Sequence, residues 1–132
     1  HNYVQNCIAY TGTHDNDTAV GWYQTAPEKD RDFARRYLMS DGEDIAWKMV
    51  RSVWSSVAVY AIAPLQDILG LGNEARMNFP GRAEGNWRYR FKATELTPDL
   101  SHRLLELNYL YNRIPDINKQ PLPRPVIAYE KA

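Results

Sequence analysis

The sequence has little cysteine, no net charge and no long hydrophobic run. Cys7 is the only cysteine among the 132 residues, which excludes an internal disulfide and a metal site built of thiolates. Lysine plus arginine and aspartate plus glutamate number 16 each, so no net charge attracts the chain to nucleic acid or to an anionic membrane. We find no signal-peptide pattern and no stretch of about 18 apolar residues that could cross a bilayer. We therefore expect a cytoplasmic protein without a nucleic-acid or membrane partner.

Apolar and aromatic residues are plentiful. Hydrophobic residues make up 44% of the chain and charged residues 24%, which is typical of a folded globular protein. The four tryptophans and nine tyrosines suit both core packing and the stacking of sugar rings. The chain begins at His1 rather than methionine and enters a predicted strand almost at once. We therefore expect it to be a piece of a longer protein.

Two apolar runs predict strands. Residues 7–10 predict a buried strand over about 7–11, in which Cys7 is a small buried hydrophobe. Residues 57–63, bounded by Pro64, form a continuous apolar run typical of a strand buried on both faces. Because helices are predicted between these strands, we expect a parallel pair joined by a right-handed crossover.

Helical signals fill the rest of the chain to about residue 114. Residues 19–23 predict an aromatic turn, and residues 25–28 have the spacing of a capping box, with a helix following to about Met39. Residues 40–43 offer a second cap, residues 64–69 a helical turn, and residues 73–90 a long irregular loop of the kind that is usually functional. The predicted buried helical faces are Phe33 and Tyr37; Ile45, Ala46, Met49, Val50, Val53 and Trp54; and, after a start at Thr97, Leu100, Leu104, Leu107 and Tyr111.

These elements indicate an α/β fold that is incomplete. A closed parallel barrel needs eight strands and about 250 residues, and two strand–helix units are too few. We predict that residues 1–114 are part of a larger (β/α)8 barrel and that residues 115–132, which hold Pro121, Pro123 and Pro125, form an extended tail.

The most polar stretch, residues 10–18, follows the first predicted strand. Active sites of parallel α/β folds lie at the carboxyl ends of the strands. Asp15 and His14 could bind neighbouring sugar hydroxyls, and the carboxylate could stabilise an oxocarbenium-like centre, while Trp22 and Tyr23 could stack on a pyranose. Two alternatives stay open: a metal site of the kind found in HD-type phosphohydrolases, and a hydrogen-bonded turn capped by Asp15 or Asn16.

A second polar cluster lies in the long loop after the second strand. Its amide and guanidinium groups could donate to hydroxyls at the same end of the sheet. Alternatively, the acidic and basic members form a solvated pair and the asparagines serve turn geometry. For Trp87 a place in the core is favoured over a ligand platform, and for Gln66 and Asp67 a structural role is favoured. The cluster consists of Asn73, Glu74, Arg76 and Asn78.

These motifs resemble those of the 4-α-glucanotransferases, also called amylomaltases or disproportionating enzymes, of glycoside hydrolase family 77. Residues 10–18 with 21–23 resemble the motif after the seventh barrel strand of that family, and residues 56–58 begin the segment that resembles the eighth strand. The resemblance runs from about residue 3 to the last helix. The other matching segments are residues 64–67, 72–78, 80–81 and 85–87.

The resemblance implies that the chain is the C-terminal portion of a (β/α)8 barrel, with its last two strand–helix units. It implies a retaining transfer of α-1,4-glucan segments to the 4-hydroxyl of another glucan or of glucose, without cofactor or metal. Asp15 falls on the carboxylate that stabilises the transition state, His14 on a sugar-binding histidine and Asn78 on an asparagine lining the active site.

The family's nucleophile and general acid/base fall upstream of His1. The resemblance therefore implies that this chain is inactive alone and needs the rest of the barrel or self-association. It also implies the cytoplasm or, in a plant, the plastid stroma. The alternative functions are a non-catalytic glucan-binding or interaction module and, more remotely, a metal-dependent phosphohydrolase.

Overall fold

The computed structural model describes residues 2–114, and over that range the chain forms two strands and five α-helices. The strands are β1 (Ile8–Tyr10) and β2 (Tyr60–Ile62). The helices are α1 (Ala19–Thr25), α2 (Glu28–Leu38), α3 (Ile45–Trp54), α4 (Leu65–Ile68) and α5 (Pro98–Leu110). Short 3₁₀ turns occur at Asn73–Ala75 and Ala93–Glu95. The predicted tail, residues 115–132, lies outside the described residues.

The two strands pair in parallel, as predicted. Ile8 lies opposite Tyr60 and Tyr10 opposite Ile62, and the amide of Thr11 extends the pairing by donating to the carbonyl of Ile62 at 3.2 Å. Because the strands are parallel, the segments after their carboxyl ends meet at one edge of the sheet. Closure into a barrel stays a prediction, since it needs strands beyond these two.

The strands are less buried than predicted. Ala9 is buried, but Ile8, Tyr10, Tyr60 and Ile62, which share the opposite face, are all exposed. The physical reason is that the described residues supply only two strands, so the strands that would pack across this face in a barrel are not among them. Burial of both strands, as expected from the continuous apolar runs, is therefore wrong for this chain. Cys7 likewise precedes β1 and is only partly buried.

The core forms where α3 meets α4 and α5. Its buried members are Trp47, Val50, Ile68 and Leu107. The predicted helical faces of α3 and α5 are confirmed in outline, because residues of both faces belong to this cluster or pack against it. The partly buried hydrophobic residues around it are Trp54, Ala63, Leu65, Leu100, Leu104 and Tyr111.

The predicted aromatic turn at residues 19–23 is instead the helix α1. Thr18 is its N-cap, and its Oγ1 accepts from the amide of Gly21 at 3.0 Å. Thr25 ends α1 and donates its hydroxyl to the carbonyl of Gly21 at 2.9 Å, so it does not form a capping box for α2. Pro27 precedes α2 without a side-chain cap. The strong Thr18 cap explains why a helix forms where the sequence predicted a turn.

The predicted burial of Phe33 and Tyr37 on α2 is wrong. The two rings stack on each other with centroids 6.2 Å apart, yet they are 67% and 50% exposed. Ala34 is the buried residue of this helix. Thus α2 turns a small side chain inward, and its aromatic pair lies at the surface. The second predicted cap, at residues 40–43, is also wrong, because the N-cap of α3 is Asp44, which makes no side-chain cap hydrogen bond.

Arg113, just beyond α5, ties that helix to the connection between α3 and β2. Its guanidinium donates to the carbonyls of Trp54, Ser56 and Ala58 at 2.7, 3.0 and 3.1 Å. Three charge-assisted bonds from one side chain fix the path of the chain into β2.

Within residues 2–114, every helix is too short or too polar to span a bilayer.

Candidate functional site

A cleft of about 680 Å³ lies at the carboxyl edge of the two strands. The loop between β1 and α1 contributes His14 and Asp15 to its wall, and the loop after α4 contributes Arg76 and Trp87. The two polar stretches singled out in the sequence therefore meet, as the parallel strand order requires.

A buried carboxylate holds the first loop from behind. Asp67, on α4, is 1% exposed. Its Oδ2 accepts from the hydroxyl of Thr11 at 2.6 Å, and its Oδ1 accepts from the amide of Ala19 at 2.7 Å. One side chain thus joins the end of β1 to the start of α1. The favoured structural role of Asp67 is confirmed, although its carboxylate accepts from the first amide of α1 rather than capping its own helix.

Local hydrogen bonds shape the loop between these two anchor points. Asn16 Oδ1 accepts from the amide and the hydroxyl of Thr13 at 2.8 and 2.9 Å. Asp17 Oδ1 accepts from the amide of Thr18 at 2.8 Å. The predicted hydrogen-bonded turn is therefore present and uses Asn16, but neither Asp15 nor Asn16 caps the following helix, whose N-cap is Thr18. Asp15 makes a different contact, to the second loop.

Asp15 and Asn78 join the two loops across the cleft wall. Asn78 Nδ2 donates to Asp15 Oδ1 at 2.6 Å, and the amide of Asn78 donates to the carbonyl of His14 at 3.1 Å. His14 Nε2 lies 3.4 Å from the same Asp15 oxygen. The side chains of His14 and Asp15 are about half exposed, at 54% and 51%, so a ligand in the cleft can reach both.

Arg76 fixes the backbone of both loops. Its Nη2 donates to the carbonyl of Asp15 at 2.8 Å and its Nε to the carbonyl of Asn78 at 2.9 Å. The guanidinium also lies over the ring of Phe79, 4.5 Å from the centroid. Glu74 instead accepts from the amide of Gly72 at 2.8 Å. Arg76 is therefore an organiser of the site rather than half of a solvated pair with Glu74.

A second bridge lies on the far side of the loop. Asn73 Nδ2 donates to Asp17 Oδ2 at 2.7 Å. Asp17 also packs against α1 where a Cβ at Gly21 would lie 2.4 Å from its Oδ1. A side chain at Gly21 would displace Asp17, which explains the glycine. With both oxygens bonded, Asp17 is a structural group here.

The structure does not bring the predicted stacking residues to Asp15. Trp22 lies on α1 and lines a separate cavity beside Asp17. The hydroxyl of Tyr23 accepts from Arg35 Nη1 at 3.0 Å, which ties α1 to α2. Neither aromatic ring lines the cleft that contains His14 and Asp15.

Trp87 lines the cleft together with Tyr10 and His14, and the sequence interpretation missed it. It is 54% exposed rather than part of the core, and its ring centroid lies 5.0 Å from that of His14. Its backbone has φ = 62°, a left-handed conformation that a bulky residue rarely adopts. The signal that could have found it is its place in the polar loop that matches a known family's active-site region.

Two carboxylates, Asp15 and Asp17, line the cleft together with the imidazole of His14 and the guanidinium of Arg76. Both oxygens of Asp17 are already hydrogen-bonded, so Asp15, which is held by the amide of Asn78, is the carboxylate that can contact a ligand. These groups can donate hydrogen bonds to a polyhydroxyl ligand and accept hydrogen bonds from it. The carboxylate can also place a negative charge beside a carbon at which positive charge develops. Within residues 2–114, three His, Cys, Asp or Glu side chains do not come together anywhere in a way that could hold a metal ion.

Comparisons with known proteins agree on one family. The glycoside hydrolase 77 family model, described as 4-alpha-glucanotransferase, matches residues 1–97. A 4-alpha-glucanotransferase of Synechocystis is 50% identical over 109 residues, which cover 82% of this chain and 22% of that protein. A chloroplastic/amyloplastic 4-alpha-glucanotransferase of Arabidopsis thaliana is 44% identical over 118 residues, which cover 86% of this chain and 20% of that protein.

A solved structure gives the same match in three dimensions. The amylomaltase from Streptococcus agalactiae in complex with acarbose superimposes with a TM-score of 0.81 at 34% identity. The superposition covers 85% of this chain and 23% of that one. The chain thus spans between a fifth and a quarter of the length of these relatives.

Proposed function

The chain belongs to the glycoside hydrolase 77 family of 4-alpha-glucanotransferases, and from this premise we propose that it supplies one wall of the active site of such an enzyme. In this proposal residues 1–114 are the C-terminal portion of a (β/α)8 barrel, with its last two strand–helix units, and residues 115–132 are a tail. The coverage of the relatives by this chain, about a fifth to a quarter, supports a partial barrel.

The observation that carries the proposal is the hydrogen bond between Asn78 Nδ2 and Asp15 Oδ1 at 2.6 Å. Because Oδ1 is held by Asn78, Oδ2 is the oxygen that accepts a sugar hydroxyl. The fixed carboxylate then places negative charge beside the anomeric carbon as positive charge develops there in the transition state. Little reorganisation is needed at that moment, since Arg76 already holds the Asp15 backbone.

The remaining polar groups bind the substrate or hold those that do. His14 donates to a hydroxyl of the same sugar from beside Asp15. Asn78 and Arg76 keep the carboxylate in place, and Asn73 does so indirectly through Asp17. Glu74 stabilises the turn that begins this loop. The substrates are maltooligosaccharides or longer α-1,4-glucans, which the acarbose complex of the neighbouring amylomaltase supports.

A retaining mechanism also needs a nucleophilic carboxylate and a general acid/base about 5–5.5 Å apart. Asp17 is unsuited to either role because Thr18 and Asn73 occupy its two oxygens. We assign both roles to residues of the protein outside this sequence. The glucanosyl group then passes from the donor to the 4-hydroxyl of a second glucan or glucose, without a cofactor. The compartment is the cytoplasm or, as for the Arabidopsis relative, the plastid.

The test is disproportionation of maltotriose by the full-length protein that carries this sequence. Asp15→Asn keeps the shape of the side chain but removes its charge, so we expect kcat to fall about 100- to 1,000-fold with a small change in KM. Glucose and longer maltooligosaccharides are quantified by chromatography. Asp99→Asn, at an exposed position in the first turn of α5, is the matched control.

Full activity of Asp15→Asn would show that the carboxylate has been assigned to the wrong residue. A full-length protein that binds maltoheptaose but never forms glucose from maltotriose would replace the proposal with a non-catalytic glucan-binding module.

A further inference from the structure

Trp87 presents a large aromatic surface to the cleft. Its ring lies at a tilt of 38° to that of His14, with 5.0 Å between the centroids. More than half of the residue is nevertheless exposed, at 54%. Both His14 and Trp87 line the cleft that also contains Asp15. An exposed indole beside a saccharide-binding carboxylate is suited to the apolar face of a pyranose ring.

The surrounding loop holds Trp87 in an unfavourable backbone conformation. Its φ of 62° costs free energy for any residue with a Cβ, and such strain is concentrated at functional sites. The amide of Trp87 donates to the carbonyl of Met77 at 2.7 Å. The preceding residue, Asn86, accepts from the amide of Phe79 at 2.8 Å and donates to the carbonyl of Arg82 at 2.9 Å. Together these hydrogen bonds hold the backbone of residues 86 and 87 in the conformation that places the indole next to His14.

We propose that Trp87 is a substrate-binding residue whose indole stacks on a glucose unit next to the one held by Asp15. This inference rests on the proposed function, because it takes the ligand to be an α-1,4-glucan. The indole contributes to the affinity for the chain of sugars and has no part in the bond-breaking step. Its loss therefore weakens binding and leaves the reacting groups in place.

The test measures binding without turnover, in full-length protein that carries Asp15→Asn. Adding Trp87→Gly removes the ring, and glycine adopts φ of 62° without strain, so the loop keeps its path. We expect the Kd for maltoheptaose, measured by titration calorimetry, to rise about tenfold, the loss typical of one aromatic stacking contact. Trp87→Phe, which retains a ring, should raise the Kd by less than about threefold. Arg88→Ala, at the exposed neighbouring position, should leave the Kd unchanged.

Kinetics of the single variants on maltotriose separate binding from positioning. Trp87→Gly should raise KM with kcat nearly unchanged. A lowered kcat with unchanged KM and Kd would overturn the inference, since the indole would then act only by orienting His14. If Trp87→Gly left the Kd unchanged while Asp15→Asn was inactive, the stacking role of Trp87 would be refuted and the proposed function would stand. An active Asp15→Asn would refute the proposed function, whatever the tryptophan variants do.

Discussion

At the scale of single residues, Asp67 holds the loop between β1 and α1 in position without lining the cleft. Its two hydrogen bonds, to Thr11 and Ala19, are 2.6 and 2.7 Å long and are removed from solvent. Asp67→Ala would leave a buried amide and a partly buried hydroxyl without an acceptor. We expect the free energy of unfolding to fall by about 3 kcal/mol, as measured by urea denaturation of the full-length protein.

Two conservative variants test this explanation. Asp67→Asn should recover part of the loss, because its amide oxygen can accept from Ala19 while the Thr11 hydroxyl reverses and accepts from the amide group. Thr11→Ser keeps the hydroxyl and should unfold nearly as the unchanged protein does. If Asp67→Ala were as stable as Thr11→Ser, the carboxylate would not be what fixes the loop.

Single residues were predictable where a strand end fixed their place. Asp15 and Asn78 could be expected at one edge because polar residues that follow parallel strands meet there. Asp17 and Trp87 could not be assigned in this way. Whether a side chain faces the cleft or a neighbouring loop depends on hydrogen bonds between distant residues, such as that of Asn73 to Asp17. Sequence spacing carries no information on such bonds.

At the scale of elements, α2 is linked to α1 by a charged group. Arg35 donates to the hydroxyl of Tyr23 and to the carboxylate of Glu28, and these bonds raise the pKa of the guanidinium. The hydrogen bond from Arg35 in turn lowers the pKa of Glu28 below its usual 4.5; desolvation opposes this shift, and the charges of Arg35 and Arg31 add smaller lowering effects. A carboxylate of lowered pKa stabilises the fold only while it is ionised.

The pH dependence of stability follows from that sign. The contribution of Glu28 should be fully present above its usual pKa of 4.5 and be lost as the pH falls through the lower value of the folded state. We therefore expect Glu28→Gln to lower the Tm at pH 7 and the difference to disappear under more acidic conditions. Differential scanning calorimetry at a series of pH values from 7 downward measures this difference in Tm. Glu106→Gln, at an exposed position of α5, is the control; equal behaviour of the two variants would contradict the assignment.

The helices were predicted better than their faces and ends. Thr97 caps α5 through a bond from the amide of Leu100 at 3.3 Å, and the threonine–proline signal located that start correctly. The same kind of signal failed at Thr25, because Thr18 had already begun a helix that ends there. The start of α1 is fixed in part by a tertiary contact, the hydrogen bond from the amide of Ala19 to Asp67. Hydrophobic periodicity alone does not reveal such a contact.

At the scale of the whole molecule, the exposed face of the two-stranded sheet is the surface most prone to self-association. An apolar surface is formed here by Ile8, Tyr10, Tyr60 and Ile62. The adjoining outer edges of both strands pair with no further strand among residues 2–114, an arrangement that promotes association. We expect the 132-residue chain, produced alone, to associate as its concentration rises. Sedimentation velocity measures the mass distribution.

The double variant Ile8→Lys with Tyr60→Lys places two charges at opposed positions of this face and should shift the chain toward the monomer. A chain that stays monomeric at every concentration without these changes would contradict the expectation. The full-length protein should be free of this concentration dependence, because in our proposal further barrel strands cover the same face.

The sequence predicted parallel strands and an incomplete fold, but the number of strands present decided how much of each strand is buried.

The bonds that build the cleft join residues far apart along the chain, and this has a consequence for the order of folding. Asp15 and Asn78 are 63 residues apart, and Thr11 and Asp67 are 56 apart. At a synthesis rate of about 5–20 residues per second, Asn78 follows Asp15 out of the ribosome by roughly 3 to 13 seconds. The local bonds of Asn16 to Thr13 can close at once. The nascent chain therefore acquires the turn early and the positioned carboxylate late.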